Sequence, residues 1–265
     1  VACSNKMVLR SLSLASFILA VVALIVGYVL GNQANTNDNA LPLPPWPLFS
    51  VAVTLADWLS GVVKIITPPS AFVKTLVTSY WQSEVAYALT KNGIFDQFEL
   101  GNDADSEGGN GKSCVALASS LGLNEAYLCR YMAAGASLGL FTKDKNDPFL
   151  FYITAAGELL HKDHPQSLSP FALMINEESR DAWRAAATIS ISSGKSGFQE
   201  HFNETPWEWL EKHSEQQALF DAAMISFSAE QMNAVLAEWK PRHGDDMVFC
   251  DIGGGYGHVL VAFLK

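Results

Sequence analysis

A short stretch near the end of the chain carries the residues whose spacing is most specific for binding a ligand. Asp251 is followed by glycines at alternate positions, in the pattern D-x-G-x-G-x-G. These are Gly253, Gly255 and Gly257. Glycine adopts positive φ readily and lets a ligand lie directly against the backbone. We expect residues 247–252 to form a buried strand, the glycines to form a turn, and a helix to begin near His258, where free N–H groups could hold a carboxylate or a phosphate.

The spacing of the glycines excludes two common nucleotide-binding loops. A dinucleotide fingerprint, G-x-G-x-x-G, would need a glycine where this chain has His258. A Walker loop would need Gly-Lys-Ser or Gly-Lys-Thr in this stretch, and the sequence has neither there. The turn is therefore expected to bind a different small ligand.

The middle of the chain predicts helices, a turn and a hairpin, which is the winged-helix order. Apolar residues recur at helical spacing, and Ser113 and Asn124 are each placed to cap a helix. An acidic stretch rich in glycine and asparagine reads as a solvent loop. The expected elements are a helix over 71–91, the loop at 101–112, helices over 113–121 and 125–138, and strands at 140–141 and 149–153.

A winged helix could bind DNA, but the charges argue against that function. The formal net charge is −10. The second helix of the motif has Arg130 as its only cation and also carries Glu125. Neutralising phosphates requires several Lys or Arg side chains. We therefore expect no nucleic-acid partner, and the acidic balance also disfavours docking on anionic lipid.

The N-terminal region predicts a membrane segment. Residues 12–31 are apolar apart from two serines and are long enough to cross a bilayer as a helix. Lys6 and Arg10 precede them, which predicts a cytosolic N-terminus and a single-pass anchor. The alternative is a cleaved secretory or organelle-targeting sequence that starts at Met7.

A second apolar stretch follows a polar, proline-rich linker. Prolines forbid a helix at 41–47, and residues 49–66 are apolar but interrupted by Asp57 and Lys64. A second transmembrane span is one interpretation of this stretch. We favour an amphipathic helix that packs on a partner subunit or lies at the membrane surface.

The cysteines and histidines do not predict a disulfide framework or a metal site. The four cysteines are scattered and contain no C-x-x-C pair. They are Cys3, Cys114, Cys129 and Cys250. Cys250 is expected to be an inert thiol buried in the strand. His161 and His164 lack a third ligand nearby, so no metal ligand is assigned.

Two regions, in the right order, resemble the small-molecule O-methyltransferases of the caffeic-acid and acetylserotonin type, which depend on S-adenosylmethionine (SAM). Residues 117–123 read L-A-S-S-L-G-L, and the stretch that begins L-C-R-Y-M at 128 ends G-L-F at 141. Residues 220–224 read F-D-A-A-M, with Asp where the family usually has Asn, and 248–257 read V-F-C-D-I-G-G-G-Y-G. The resemblance runs from about residue 71 to residue 265.

The resemblance implies a SAM cofactor, a small aromatic acceptor that is methylated on a hydroxyl group, and a homodimer. It places Asp251, the three glycines, Ser228 and Phe198 at the cofactor, and Met224, Phe220 and Trp183 at the acceptor. From spacing alone, Phe220 and Met224 could equally be a core stripe, and Phe198 an ordinary core aromatic. The family's general base and ribose-binding acid fall beyond Lys265, so no catalytic residue is assigned in this chain.

We therefore expect a mostly α-helical chain that ends in the first strand and glycine loop of an incomplete Rossmann-like methyltransferase domain. The alternatives are a non-catalytic module for dimerisation or anchoring, and a winged-helix DNA-binding protein. The expected regions are a membrane or targeting segment at 1–40, an apolar helix at 41–70, a winged-helix dimerisation domain at 71–165, and a helical substrate-pocket region with the start of the SAM domain at 166–265.

Overall fold

The computed structural model describes residues 46–101, 111–238 and 248–264. The contacts divide the chain into two units, Val1–Val77 and Thr78–Lys265, and each unit is described by itself. The predicted membrane segment at 12–31 lies outside the described residues. Within them the chain is mostly helical with one small sheet, as the sequence predicted.

The described part of the first unit consists of two helices, α1 (Trp46–Ile66) and α2 (Pro69–Thr78), although α2 ends one residue past the boundary. The turn between them contains Pro68, which cannot continue α1, and Pro69 is the first residue of α2. Large apolar side chains remain exposed on α1, including Trp58 at 55% and Ile65 at 85%. A helix is thus present over the apolar stretch 49–66, and its apolar surface is not covered within the described residues. It begins at Trp46, so the expectation that prolines exclude a helix up to residue 47 is wrong at its last two positions.

Among the residues that the structure describes, no helix is both long enough and apolar enough to span a membrane. This finding includes α1, which has 21 residues but carries Asp57 and Lys64. Charged side chains are costly in the hydrocarbon core of a bilayer. The second transmembrane span considered for 49–66 is therefore wrong. We also correct the prediction of a single-pass membrane localisation, for which the described residues supply no spanning helix.

The second unit begins with the predicted order of helix, turn, helix and hairpin. The predicted helix over 71–91 is interrupted at Ser79, so that α3 is a separate helix from α2. The elements that follow are α3 (Tyr80–Lys91), a 3-10 turn (Phe95–Gln97), β1 (Lys112–Ser113), α4 (Cys114–Leu121), α5 (Glu125–Ser137), β2 (Phe141–Lys143) and β3 (Leu150–Ile153).

One of the two predicted helix caps is present. The Asn124 side chain accepts a hydrogen bond from the Tyr127 N–H at 3.1 Å, which caps α5 as expected. Ser113 makes no such bond to α4, so that predicted cap is wrong. Ser113 belongs instead to β1, and the next N–H, of Cys114, donates to the carbonyl of Phe149 at 2.9 Å. The start of α4 is therefore held by a backbone hydrogen bond to the residue before β3 and not by a side-chain cap.

The small sheet is antiparallel with the strand order β1-β3-β2. Phe151 of the central strand pairs with Lys112 on one side and Lys143 on the other. The sequence did not predict β1, because residues 101–112 read as a solvent loop. The sheet packs Phe151 and Ile153 into the core, where both are almost fully buried.

Phenylalanine rings fill the core between α3, α5 and the sheet. Phe141 stacks on Phe95 at 5.1 Å between ring centroids and also meets Phe98 at 5.5 Å and Phe151 at 6.3 Å. Aromatic pairs at these separations are stabilising beyond the apolar area that they bury. This cluster fixes the sheet against the helices.

A disulfide crosses this core, which corrects the sequence-based expectation. Cys114 and Cys129 are bonded, with 5.2 Å between their Cα atoms and a sequence separation of 15 positions. Their spacing has no recognisable pattern because the two sulfurs are brought together by the packing of α4 on α5 rather than by local sequence. The prediction that the cysteines are unpaired is wrong for this pair.

Six helices follow β3 within residues 155–238. The helical stretch from Ser169 to Ser193 is divided at Glu177, whose backbone (φ −96°, ψ −122°) is not helical. A capping box is formed between Thr205 and Glu208. The helices are α6 (Ala155–Glu158), α7 (Ser169–Asn176), α8 (Glu178–Ser193), α9 (Gly197–Phe202), α10 (Pro206–Lys212) and α11 (Ser214–Glu238).

The last described segment contains the glycine turn and α12 (His258–Leu264), but no strand. Residues 248–250 are irregular, and Val248 is 91% exposed. A strand requires a neighbour that accepts its backbone hydrogen bonds, and the described residues place none beside this segment. The predicted buried strand at 247–252 is therefore wrong, and so is the burial expected for Cys250, whose thiol is free and exposed.

Candidate functional site

The glycine turn has the backbone conformation that its sequence predicted. Gly253, Gly255 and Gly257 have φ values of 76°, 53° and 72°, a region that other residues rarely adopt. A Cβ added at any of the three would meet no atom of the described residues within 4 Å. The turn closes with a hydrogen bond from the Gly257 N–H to the Gly254 carbonyl at 2.8 Å, and α12 follows directly. The backbone is thus uncovered where a ligand would approach it.

Asp251 carries the one unsatisfied polar atom found among the buried side-chain atoms of the described residues. Its Oδ2 is buried and has no hydrogen-bond partner. Buried carboxylate oxygens normally accept at least one hydrogen bond, so this atom is an acceptor without a donor. A Cβ on Gly254 would overlap the same carboxylate. Gly254 therefore leaves the space that the Asp251 carboxylate occupies, a role that the alternate-glycine pattern did not reveal.

These features fit the group that the family resemblance implies. SAM offers ammonium and hydroxyl donors, which an unpaired carboxylate oxygen can accept, and its methionine end is narrow enough to lie against a glycine backbone. The open space beside the glycines and the orphaned oxygen of Asp251 together meet that need. The chain's own residues are thus compatible with this cofactor.

Helix α11 carries the predicted residues that lie closest in sequence to the turn. It lies beside α7, α10 and α12. The Ser228 hydroxyl donates to the Met224 carbonyl at 2.7 Å, so its proton is already used within the helix while its oxygen can still accept a bond. Met224 and Ser228 are partly buried. The structure thus brings these two residues together, one turn apart, on a helix that contacts α12.

The predicted aromatic residues are distributed over three places. Phe220 on α11 meets the ring of Trp207 edge-on, with 5.9 Å between centroids. The Phe198 ring contacts Phe202 and Trp209, which lie on α9 and α10. These ring contacts match the alternative in which Phe220 and Phe198 are ordinary core residues.

Trp183 lies apart from those rings. Its side chain is on α8 and 75% exposed. An indole this exposed contributes little to a core and offers a large apolar face to a ligand or a partner. The structure alone does not connect it to Met224.

A polar seam joins α3 to α7 and α8, the helices that carry part of the predicted acceptor pocket. Lys91 bonds to Glu177 at 2.5 Å, and this hydrogen bond raises the pKa of Lys91. Arg180 pairs with Glu84 at 2.8 Å. The Ser83 hydroxyl donates to the Asn176 side chain at 2.8 Å. The residues of this seam are Ser83, Glu84, Lys91, Asn176, Glu177 and Arg180. Sequence reasoning missed the seam, since its partners are separated by 86 to 96 positions along the chain and share no motif.

The two histidines considered as metal ligands have a structural role. His161 and His164 are buried, at 6% and 9% exposure. In each, the ring Nδ1 accepts a backbone N–H two residues later, at 3.0 Å. Burial lowers the pKa of His164. These rings stabilise the turns before α7, and the described residues contain no group of three or more side chains placed to hold a metal.

A separate cavity of about 230 Å³ opens between the end of α3 and the start of α5. Its walls are mostly apolar, with Tyr127 and Tyr131 exposed at its rim. The lining residues are Ala88, Leu89, Asn92, Ile94, Leu123, Asn124, Tyr127, Leu128 and Tyr131. No sequence motif marks this cavity.

Comparison with known proteins places this arrangement among methyltransferases. No family profile matches the chain. It is 30% identical over 198 residues to the phenazine O-methyltransferase PhzM of Lysobacter antibioticus, covering 75% of this chain and 54% of that protein. The crystal structure of LaPhzM aligns with a TM-score of 0.62 at 29% identity, over 75% of this chain and 55% of that one.

A more distant structure shares the fold. Human N-acetylserotonin methyltransferase in complex with SAM aligns with a TM-score of 0.61 at 17% identity, over 75% of this chain and 55% of that one. The chain thus spans about half the length of the relatives that it matches. The family resemblance inferred from the motifs is confirmed: over this length the chain is homologous to the SAM-dependent small-molecule methyltransferases of the phenazine and acetylserotonin class.

Proposed function

We propose that the intact protein transfers a methyl group from SAM to a hydroxyl of a small aromatic molecule. The observation that carries this proposal is the open glycine turn behind the orphaned oxygen of Asp251, in a chain homologous to phenazine O-methyltransferase. A buried carboxylate oxygen without a donor is unusual in a folded protein, and a bound ligand that supplies the donor would account for it.

The cofactor is proposed to lie on the glycine turn. Gly253, Gly255 and Gly257 allow it to contact the backbone, and Asp251 accepts a hydrogen bond from it. When bound, SAM supplies an electrophilic methyl group on a sulfonium. Ser228 is proposed to bind its carboxylate end by turning its hydroxyl proton from the Met224 carbonyl to that carboxylate. Phe198 is proposed to pack near the cofactor, beside the rings of α9 and α10 that it already contacts.

The acceptor is proposed to lie along α11 and α8. Met224 and Phe220 would contact its ring, and the exposed indole of Trp183 would cover it. Positioning the hydroxyl in line with the methyl group supplies much of the rate in such a transfer. A base must also remove the hydroxyl proton. The resemblance places that base beyond Lys265, so no residue of this chain is assigned to it.

The region at 71–165 is proposed to dimerise rather than to bind nucleic acid, and 166–265 to form the substrate pocket and the start of the SAM domain. The second helix of the motif, α5, has Arg130 as its only cation, and that guanidinium lies over the Tyr127 ring at 5.9 Å. Light scattering on the protein should give the mass of a dimer. A monomer that shifts duplex DNA at physiological salt would refute this assignment.

Calorimetry with SAM tests the function directly. The gene product, translated to its natural stop codon, should bind SAM, and Gly255→Ala should abolish binding because a Cβ there enters the cofactor's space. Gly139→Ala is the matched control: Gly139 also has positive φ, 82°, with no atom within 4 Å of an added Cβ, but lies outside the turn. Absence of binding at millimolar SAM by the unaltered protein would refute the proposal, as would equal losses in the two variants.

A further inference from the structure

The two cysteines of the disulfide differ in their exposure to solvent. Cys114 is the first residue of α4 and is fully buried, with 0% exposure. Cys129 lies within α5 and is partly buried at the edge of the core. A thiol that approaches from solvent therefore meets Cys129 before Cys114.

The position of Cys114 also suits it to leave the bond. Its sulfur is at the start of α4, where the unpaired N–H groups of a helix favour negative charge. In thiol–disulfide exchange, a sulfur that better stabilises a thiolate leaves faster. Burial in the apolar core opposes a thiolate at Cys114, and the helix start offsets part of that cost, so exposure is the feature that selects Cys129 for attack.

We propose that Cys129 is a site of reversible thiol–disulfide exchange with low-molecular-weight thiols, and that Cys114 is its resolving thiol. In reduction, a small thiolate attacks Cys129, the bond between the two protein sulfurs breaks, and Cys114 leaves as a thiolate that takes up a proton. A second small thiolate then attacks the external sulfur of the mixed disulfide. This releases Cys129 and a small-molecule disulfide, so two electrons pass to the protein and two thiols are oxidised. Oxidation by the small disulfide runs the same steps in reverse.

The exchange acts on one wall of the cavity between α3 and α5. The segment closed by the disulfide contains Leu123, Asn124, Tyr127 and Leu128, which line the cavity from one side. The opposite wall, including Leu89, belongs to α3 and lies outside the closed segment. Reduction therefore removes the covalent link between α4 and α5 and leaves this wall of the cavity held by packing alone.

The test uses the 265-residue chain with Cys3 and Cys250 replaced by Ala, so that only the pair remains. The chain is equilibrated with reduced and oxidised glutathione and read by intact mass and peptide mapping. Oxidised protein should contain the internal disulfide, and Cys114→Ala should accumulate glutathione on Cys129. Cys129→Ala should leave Cys114 unmodified, because its sulfur is buried.

A second measurement does not depend on how the single variants fold. The reduced chain with both cysteines present is pulsed with an alkylating agent under native conditions, and Cys129 should be labelled before Cys114. Equal labelling of the two thiols, glutathione found on Cys114 first, or oxidised protein that keeps two free thiols would each overturn the proposal.

Discussion

Replacing Phe141 by Ala should destabilise the second unit severely. Phe141 is 2% exposed, and its ring contacts those of Phe95, Phe98 and Phe151 at 5.1 to 6.3 Å. Truncating a buried phenylalanine costs about 3–5 kcal/mol of unfolding free energy. The loss of three ring contacts places this site near the upper end, at about 4–5 kcal/mol.

Urea unfolding of the whole chain, followed by tryptophan fluorescence and circular dichroism, measures that cost. With a slope of about 3 kcal/mol per molar urea, the midpoint should fall by about 1.3–1.7 M. Phe149→Ala is the matched control, because Phe149 lies next to β3 but is 49% exposed. Its substitution should cost about 0.5 kcal/mol or less.

The two variants together decide the argument. If Phe141→Ala shifted the midpoint no more than Phe149→Ala, the ring cluster would not be the core of this unit. A change in slope without a change in midpoint would mean that the substitution altered the compactness of the unfolded chain instead.

Three further outcomes follow from local geometry. Thr205→Ala should cost about 1 kcal/mol through loss of the capping box, whereas Thr205→Ser, which keeps the hydroxyl, should cost little; equal losses would exclude the cap as the cause. Burial lowers the pKa of His164 in the folded protein. The stability that the neutral ring contributes is therefore complete above the unfolded-state pKa of about 6.5 and is lost as the pH falls through the folded-state pKa. His164→Asn, which keeps an acceptor but does not titrate, should make the urea midpoint less dependent on pH. Gly197→Ala would put a Cβ 2.5 Å from the Ala186 N atom in α8 and should lower the unfolding free energy by about 1–3 kcal/mol, seen as a lower melting temperature. The control is Gly61→Ala in α1, where no described atom lies within 4 Å of the added Cβ. That variant should leave the melting temperature unchanged or raise it.

The features that the sequence predicted correctly are those set by a few neighbouring residues. Asn124 caps α5 because its side chain needs only an N–H three positions later. Gly253 takes a positive φ because glycine alone lacks the Cβ that would resist it. The helix–turn–helix–hairpin order likewise follows from periodicity within each element.

The features that it missed depend on distant parts of the chain. The bond between Cys114 and Cys129 requires the packing of two helices, which no spacing rule encodes. The strand expected before Asp251 needed a partner strand, and its apolar residues alone could not provide one. At the candidate site, the glycine conformations could be predicted, whereas the unpaired oxygen of Asp251 could not, since it depends on how the side chain folds over Gly254.

Helix α3 belongs to two layers at once, and this affects how the unit unfolds. One face places Leu89 in the phenylalanine core, while Glu84 and Lys91 bind α8 and the residue before it across the seam. Separating either layer exposes a face of the same helix, so the two layers open as one cooperative unit. The amide hydrogens in the middle of α3 should therefore exchange with solvent only through global unfolding, and their exchange rates would report the stability of the entire unit.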